Sequence, residues 1–412
     1  MTDVTIAIGS FLETEHVQRI AAAGPGLRVL YEPELLPVPR FPCDHTGLAR
    51  SLRPAELDRW HALRAEADVF FDFDWLDPAS MAPPGGRLRW IQATSAGIGA
   101  LMRRTGLDRR AGGGGTGAGG PPLTVTSAAG IHAQPLAEFA VLGALYVVKG
   151  VPRLREWQRE RHWELYATRQ LAGQRALVVG LGGIGRRVVA SFAALGVEVW
   201  GLGRAGAAYD VDGLTRLVDR AGLDAALPVT DILVLACPLT AETAGLIGAR
   251  QLDLLPRGAA LVNVARGPVV DQAALTAALR SGHLGGACLD VFATEPLPPG
   301  DPLWDMENVI ISPHSASTVA TENAALTDLF IDNLGRFLRG APLRNRYDPA
   351  RGYLPGHRPV AVDEPAGAAV GTLGGERDDR VGARGHGLRA AVTALATDAS
   401  SVTSIGTNRV PS

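Results

Sequence analysis

A glycine pattern at residues 180–185 restricts this chain more than any other stretch. Residues 175–179 form a short apolar, β-branched run. Gly180-Leu-Gly182-Gly183-Ile184-Gly185 follows, then helical periodicity to Leu195, then a second strand-like run at 197–202. Glycines also mark ordinary turns, so the pattern alone is weak. A strand before it, a helix after it and a second strand beyond make it a βαβ dinucleotide-binding unit. Gly180 permits the tight turn, Gly182 admits a pyrophosphate close to the backbone, and Gly185 lets helix and strand pack. Gly183 and Ile184 lie between them, where the helix N-terminus offers N–H donors and positive dipole.

The end of the second strand decides which dinucleotide is taken. An acidic residue about 20 positions beyond the glycines normally accepts the adenosine ribose hydroxyls. Here the strand runs out through Gly201, Leu202, Gly203 and Arg204. A glycine and a guanidinium suit a 2′-phosphate and leave a bare ribose without its acceptor. The sequence therefore predicts NADP in preference to NAD. The plain alternative is that Arg204 is solvated and specificity relaxed.

With 412 residues the chain can hold two cored domains, and a net charge of −2 gives no general attraction to nucleic acid or an anionic membrane. A small molecule is the expected partner. Cys43, Cys237 and Cys288 show no C-x-x-C spacing, which points to a reducing cytoplasm, no disulfide framework and no metal site. The N-terminal residues read directly as a strand, without a basic leader or an apolar h-region, and no run is long enough to span a bilayer. A soluble protein is expected.

Strand-like runs at residues 5–8, 27–31, 69–73, 88–92 and 123–126, separated by helical patterns such as 54–67, imply a first α/β domain with a mostly parallel sheet. Residues 36–50, with several prolines, form an irregular loop without an assigned position. Residues 112–120, almost all glycine, read as a flexible surface excursion. From Ile131 a long helix is apolar on nearly every face, with Pro135 in its first turn. Such a helix needs cover on all sides, either between two domains or against a second copy, and Trp157 and Trp163 in the polar helix after it extend that contact. Runs at 232–236, 260–263, 286–291 and 309–311, with a helix at 271–280, complete a second doubly wound sheet, and 318–338 is an amphipathic closing helix. Beyond Tyr353 the chain has no aromatic residue and no sustained period, and it is read as disordered apart from a short helix at 388–397.

Three strand-like runs after the fingerprint each place a charged or titratable residue just past their C-terminal ends: Arg266, Glu295 and His314. In an open α/β sheet that edge is where ligands bind. Each residue has an ordinary explanation alone, as a surface cation, a loop charge or a helix-entry residue. Together they suit hydride transfer at a carbonyl beside a carboxylate. A histidine moves the proton, an acid orients and charges it, and a guanidinium holds the anionic 2-oxoacid.

The order of G-L-G-G-I-G, C-P-L-T-A-E-T (237–243), N-V-A-R-G-P-V-V-D, L-D-V-F-A-T-E-P-L-P and S-P-H-S-A resembles the D-isomer-specific 2-hydroxyacid dehydrogenase family. The detailed match runs from about Ile131 to Tyr353. The resemblance implies a reductase of glyoxylate or hydroxypyruvate type, with Arg266 holding substrate, Glu295 supporting the base and His314 as acid/base. Asp290 would lie near the nicotinamide carboxamide, and Cys237, Pro238, Thr243 and Ala265 would border the cofactor with Gly203 and Arg204. Ser95, Ala96 and Gly97 would form the loop that binds the substrate carboxylate. The implied architecture is two doubly wound parallel-sheet α/β domains, a Rossmann cofactor domain (130–317) inserted into a flavodoxin-like substrate domain (1–129 and 318–345), with a tail at 346–412. A homodimer through the helices after Ile131 is implied as well. Gly203 departs from the aspartate usual in NAD-preferring members. Two other readings share the fold: a nucleotide-sensing, corepressor-like interaction protein, and a phosphite- or formate-type dehydrogenase.

Overall fold

The computed structural model describes residues 3–81, 83, 86–111, 121–204 and 209–349. The expectations for residues 112–120 and for the tail from residue 350 onward fall outside these. Five parallel strands form the first sheet: β1 (Val4–Ile8), β2 (Leu27–Leu30), β3 (Val69–Phe71), β4 (Trp90–Gln92) and β5 (Thr124–Thr126). Their order, β2-β1-β3-β4-β5, is the flavodoxin-like arrangement. Seven more form the second: β6 (Arg175–Val179), β7 (Glu198–Leu202), β8 (Leu214–Val218), β9 (Ile232–Leu235), β10 (Ala259–Asn263), β11 (Leu284–Leu289) and β12 (Val309–Ile311). The order β12-β11-β10-β9-β6-β7-β8, parallel throughout, is the doubly wound arrangement with its switch point between β6 and β9.

Both faces of each sheet are covered, which is why the central strands read as unbroken apolar runs instead of alternating ones. Leu177, Leu233 and Leu261 face one layer of the second sheet, and Ala176, Val178, Val234 and Val262 face the other. Strand β8 lacked such a run because it is an edge strand in which only Val218 is buried. Helix Ala133–Val148 explains its all-round apolar character by burying Leu136, Ala137, Ala140, Ala144 and Val148 in that second layer.

After β12 the chain returns to the first sheet. Helix Glu322–Leu338 lays Leu326, Phe330 and Leu334 against β1, β3 and β4, and the Phe330 ring stacks on Trp90 with centroids 5.0 Å apart. Four residues at its N-terminal side that were expected to be helical, 318–321, precede it instead. A buried polar network ties helix to sheet. Gln92 Oε1 accepts from Asn333 Nδ2 at 3.0 Å and from Thr126 Oγ1 at 2.9 Å, and Thr126 Oγ1 in turn accepts from Trp90 Nε1 at 2.8 Å. Order continues past residue 345, because Arg346 bridges to Thr126 and Tyr347 is buried with its N–H on the Val125 carbonyl at 2.8 Å.

The proline-containing loop at 36–50 finds its place against the start of this return helix. His45 Nε2 lies 2.8 Å from Asn323 Oδ1, and Cys43 Sγ donates to the Val319 carbonyl at 3.4 Å. Its shape is set by Asp44, whose carboxylate takes Arg40 Nε at 2.6 Å and is held down to about 2, first by that hydrogen bond. Trp163 stands outside the helix expected to carry it. That helix, Val151–Glu160, stops where Arg161 adopts a left-handed backbone (φ 56°), and residues 162–170 run on without regular structure.

Candidate active site

The three strand-end residues come together because their strands are neighbours in register. Asn263 of β10 pairs with Leu289 of β11, and Leu289 with Ile311 of β12. Strands about 4.8 Å apart that stop level with one another deliver Arg266, Glu295 and His314 to one edge. His314 Nδ1 lies 2.7 Å from Glu295 Oε2, and Glu295 Oε1 accepts the Phe292 N–H at 3.0 Å. The carboxylate is thus held by its own loop while it engages one ring nitrogen, which leaves Nε2 to face outward. The His314 side chain is 45% exposed and that of Glu295 36%, so the pair is reachable from solvent.

Asp290 determines where the imidazole stands. His314 has a positive φ of 55°, uncommon for a residue with a side chain, and its N–H donates to the Asp290 carbonyl at 2.9 Å. On either side of it, Ser312 Oγ (2.6 Å) and the Ala316 N–H (2.9 Å) donate to Asp290 Oδ1. One buried carboxylate oxygen therefore clamps the whole turn. Asp290 Oδ2 makes no hydrogen bond among the described residues.

Arg266 is half-buried, and burial lowers its pKa while Glu295 and Asp290 act to raise it. Its Nη1 donates to the Ala265 carbonyl at 2.7 Å. The turn that carries it is bracketed by Asn263, whose Oδ1 accepts the Ala265 N–H at 3.0 Å and whose Nδ2 donates to the Arg266 carbonyl at 3.3 Å. Asn263 was not singled out in the sequence. Its position at the end of an apolar strand, where a buried amide must find partners, was the available signal.

Across from this edge lies the loop after β4. A Cβ placed on Gly97 would overlap Nη2 of Arg266, so the guanidinium lies directly on that backbone, and any side chain at 97 would push it aside. The loop is pinned at both shoulders. Thr94 donates its N–H (3.3 Å) and hydroxyl (2.9 Å) to Asp72 Oδ1, and the Ser95 carbonyl accepts the Ala128 N–H at 3.0 Å. Among the described residues the N–H groups of Ser95, Ala96 and Gly97 make no hydrogen bond, an arrangement that suits an anion. Asp72, fully buried with a φ of 71°, was also missed.

The fingerprint behaves as a cradle. Gly180 has a φ of 98°, and a Cβ there would stand 2.7 Å from the Cys237 backbone. Gly182 caps helix Gly183–Ala194 and a Cβ there would meet nothing within 4 Å, while one on Gly185 would overlap the Gly180 carbonyl oxygen. Open space before a helix N-terminus and close packing behind it fit a pyrophosphate. Ile184 is partly buried beneath. Thr243 shapes the loop opposite, donating from Oγ1 to the Pro238 carbonyl at 2.6 Å and accepting the Thr240 N–H at 2.8 Å. Burial pushes the thiols of Cys237 and Cys288 up to about 11 and about 12, so neither is a nucleophile near neutral pH. At the end of β7, Gly203 lies under the ring of Tyr209, whose hydroxyl accepts the Arg204 N–H at 2.8 Å.

A family model described as D-isomer specific 2-hydroxyacid dehydrogenase, NAD binding domain, matches residues 141–316. The glyoxylate/hydroxypyruvate reductase A of Salmonella newport is 32% identical over 286 residues, covering 68% of this chain and 86% of its own length. The chain belongs to the D-isomer-specific 2-hydroxyacid dehydrogenase family. A family structure from Xanthobacter autotrophicus Py2, in complex with NADPH and MES, is 31% identical with a TM-score of 0.65 and spans 86% of this chain and 100% of its own. The NADPH-dependent glyoxylate/hydroxypyruvate reductase of Sinorhizobium meliloti, in complex with NADP and sulfate, is 26% identical with a TM-score of 0.65, over 85% of this chain and 100% of its own. As a 2-hydroxyacid dehydrogenase the chain is an NAD(P)-dependent oxidoreductase acting on the CH–OH group. The corepressor-like and phosphite- or formate-type readings are not favoured by these relatives.

Proposed function

We propose that this dehydrogenase reduces a small 2-oxoacid of the glyoxylate or hydroxypyruvate type with NADPH, using Arg266, Glu295 and His314. The observation that carries the reading is the His314–Glu295 pair at 2.7 Å on the same edge as a guanidinium laid on the Gly97 backbone. The cofactor supplies a hydride to the carbonyl carbon. His314 Nε2 gives a proton to the carbonyl oxygen, and Glu295 stabilises the imidazolium before that transfer and holds the ring in place after it. Arg266 and the N–H groups of Ala96 and Gly97 bind the carboxylate, with Ser95 at the loop's shoulder. Asp290 Oδ2 would accept from the nicotinamide carboxamide, and Cys237, Pro238, Thr243 and Ala265 would border the cofactor. A division into substrate domain (1–129 and 318–345) and cofactor domain (130–317) belongs to this reading, with Tyr347 extending the former.

A panel of glyoxylate, hydroxypyruvate and longer 2-oxoacids, with phosphite and formate as controls, tests the substrate class. Turnover of glyoxylate or hydroxypyruvate with NADPH is expected, and activity on formate or phosphite alone would overturn it. The relatives from Xanthobacter and Sinorhizobium support NADPH over NADH through their bound cofactors. Arg204→Ala should reduce the NADPH-to-NADH ratio of kcat/KM by about ten- to a hundredfold, the worth of a well-placed charge-assisted contact. An unchanged ratio would remove Arg204 from cofactor choice.

We also infer a homodimer in a reducing cytoplasm. Trp163 is 93% exposed and Leu165 91%, and Leu142 of helix Ala133–Val148 is half-exposed. Large apolar side chains so exposed fit a surface covered by a second copy. Trp163→Arg combined with Leu165→Glu should shift the mass measured by light scattering from dimer to monomer. A dimer that survives both changes would place the interface elsewhere. Three free, buried cysteines fit the compartment, and among the described residues no single helix is long and apolar enough to cross a membrane.

A further inference from the structure

At the adenosine end of the cofactor groove, position 203 is already filled from outside. A Cβ on Gly203 would overlap Cε2 of Tyr209 and stand 2.7 Å from Cζ and 2.9 Å from Cδ2. The ring is partly buried against the layer that contains Val188, Val189 and Leu181. It is held at both ends. The hydroxyl oxygen accepts the Arg204 N–H at 2.8 Å, and the next residue, Asp210, gives its carbonyl to Arg186 Nη1 from the helix that follows the fingerprint. The phenolic proton has no acceptor among the described residues, with which the hydroxyl makes only the bond it receives.

We propose that Tyr209 is a specificity-determining residue for the cofactor, whose ring occupies the space of a ribose-binding acid and whose hydroxyl donates to a 2′-phosphate oxygen. This rests on the reading that NADPH is preferred, and it assigns part of that preference to a residue other than Arg204. The ring and the acid exclude each other sterically, because any side chain at 203 must displace Tyr209 and take its hydroxyl off the Arg204 N–H. A phosphate arriving beside that hydroxyl meets a donor already oriented by its own acceptor bond and a guanidinium one residue from the ring's contact with Gly203. An unphosphorylated ribose gains no charge-assisted bond from that hydroxyl and meets a glycine, not a carboxylate, at position 203. Selectivity then comes from an attraction for one cofactor together with a filled acceptor site for the other.

The probes are adenosine 2′,5′-bisphosphate and ADP, titrated calorimetrically into the full-length protein so that no turnover is involved. Wild type is expected to bind the bisphosphate at least about tenfold more tightly than ADP. Tyr209→Phe, which keeps the ring, should weaken the bisphosphate by about tenfold and leave ADP within about twofold, the loss of one hydrogen bond to a charged group. Gly203→Asp alone should weaken the bisphosphate without improving ADP, whereas Gly203→Asp with Tyr209→Ala should reverse the preference. If wild type does not prefer the bisphosphate, the NADPH reading itself fails. If wild type prefers it but Tyr209→Phe binds as wild type does, or Gly203→Asp alone reverses the preference, the role of Tyr209 is overturned while that of Arg204 stands.

Discussion

Replacing His314 by glutamine should lower kcat for 2-oxoacid reduction by about 10²- to 10⁴-fold, the usual worth of a positioned acid/base, while the Kd for NADPH stays within about twofold. Glutamine retains a polar side chain of similar reach but cannot carry a transferable proton at neutral pH. The substitution is structurally mild because the imidazole is 45% exposed and its turn is held through backbone and Asp290 contacts, the His314 N–H on the Asp290 carbonyl and Asp290 Oδ1 on Ser312 and Ala316. The left-handed backbone at 314 persists in the variant, so any strain it contributes is common to both proteins. Cofactor binding is separable because the fingerprint glycines follow β6, four places from β12 in the order of the sheet, with β9, β10 and β11 between. Single-turnover reduction with bound NADPH is the decisive measurement. A rate within a few-fold of wild type would remove His314 from proton transfer, and a parallel loss of NADPH binding would show that the change disturbed the fold instead.

What the sequence disclosed of this site follows from which interactions are local. The Gly180–Gly185 pattern is readable because turn, cap and close packing all fall within one short stretch. Arg266, Glu295 and His314 were readable as strand-end residues, since parallel strands of similar length end on one edge. Their mutual contact was not, because it depends on the pairing of Asn263 with Leu289 and of Leu289 with Ile311. Asp72 shows the limit of such reading. Its carboxylate fixes Thr94, which precedes the Ser95–Gly97 turn by one residue, but the two positions follow different strands and nothing near either in the sequence links them. Asn263 and Tyr209 are of the same kind. The first is a buried amide whose partners are backbone groups, and the second is an aromatic whose importance lies in the residue it covers. Trp163 erred in another way. The polar helical pattern continued past residue 160, but the left-handed Arg161 ends the helix and leaves the indole projecting.

Arg266→Lys should lower kcat/KM for glyoxylate or hydroxypyruvate by about 10²-fold or more, because a lysine keeps the charge and loses the planar fork. The structure makes the distinction sharp. Arg266 sends Nη1 to the Ala265 carbonyl at 2.7 Å and lays Nη2 against Gly97, so its two terminal nitrogens divide between holding the guanidinium's own orientation and facing the substrate loop. An ammonium has no second arm with which to do both. Once drawn toward the Ala265 carbonyl it withdraws from the carboxylate site, and once drawn to the substrate it loses its anchor. Burial disfavours the charged form at this position, an effect that a lysine, with its lower intrinsic pKa, feels more than an arginine does. The loss for Arg266→Lys should therefore deepen as pH rises toward the lysine's own titration, whereas wild type, charged throughout that range, shows no such added limb. Both KM and kcat are expected to move, KM through the carboxylate contact and kcat through polarisation of the carbonyl next to it. A kcat/KM unchanged across several 2-oxoacids would refute the assignment. A fall confined to KM, with kcat intact, would restrict Arg266 to substrate capture and leave carbonyl polarisation to His314 alone.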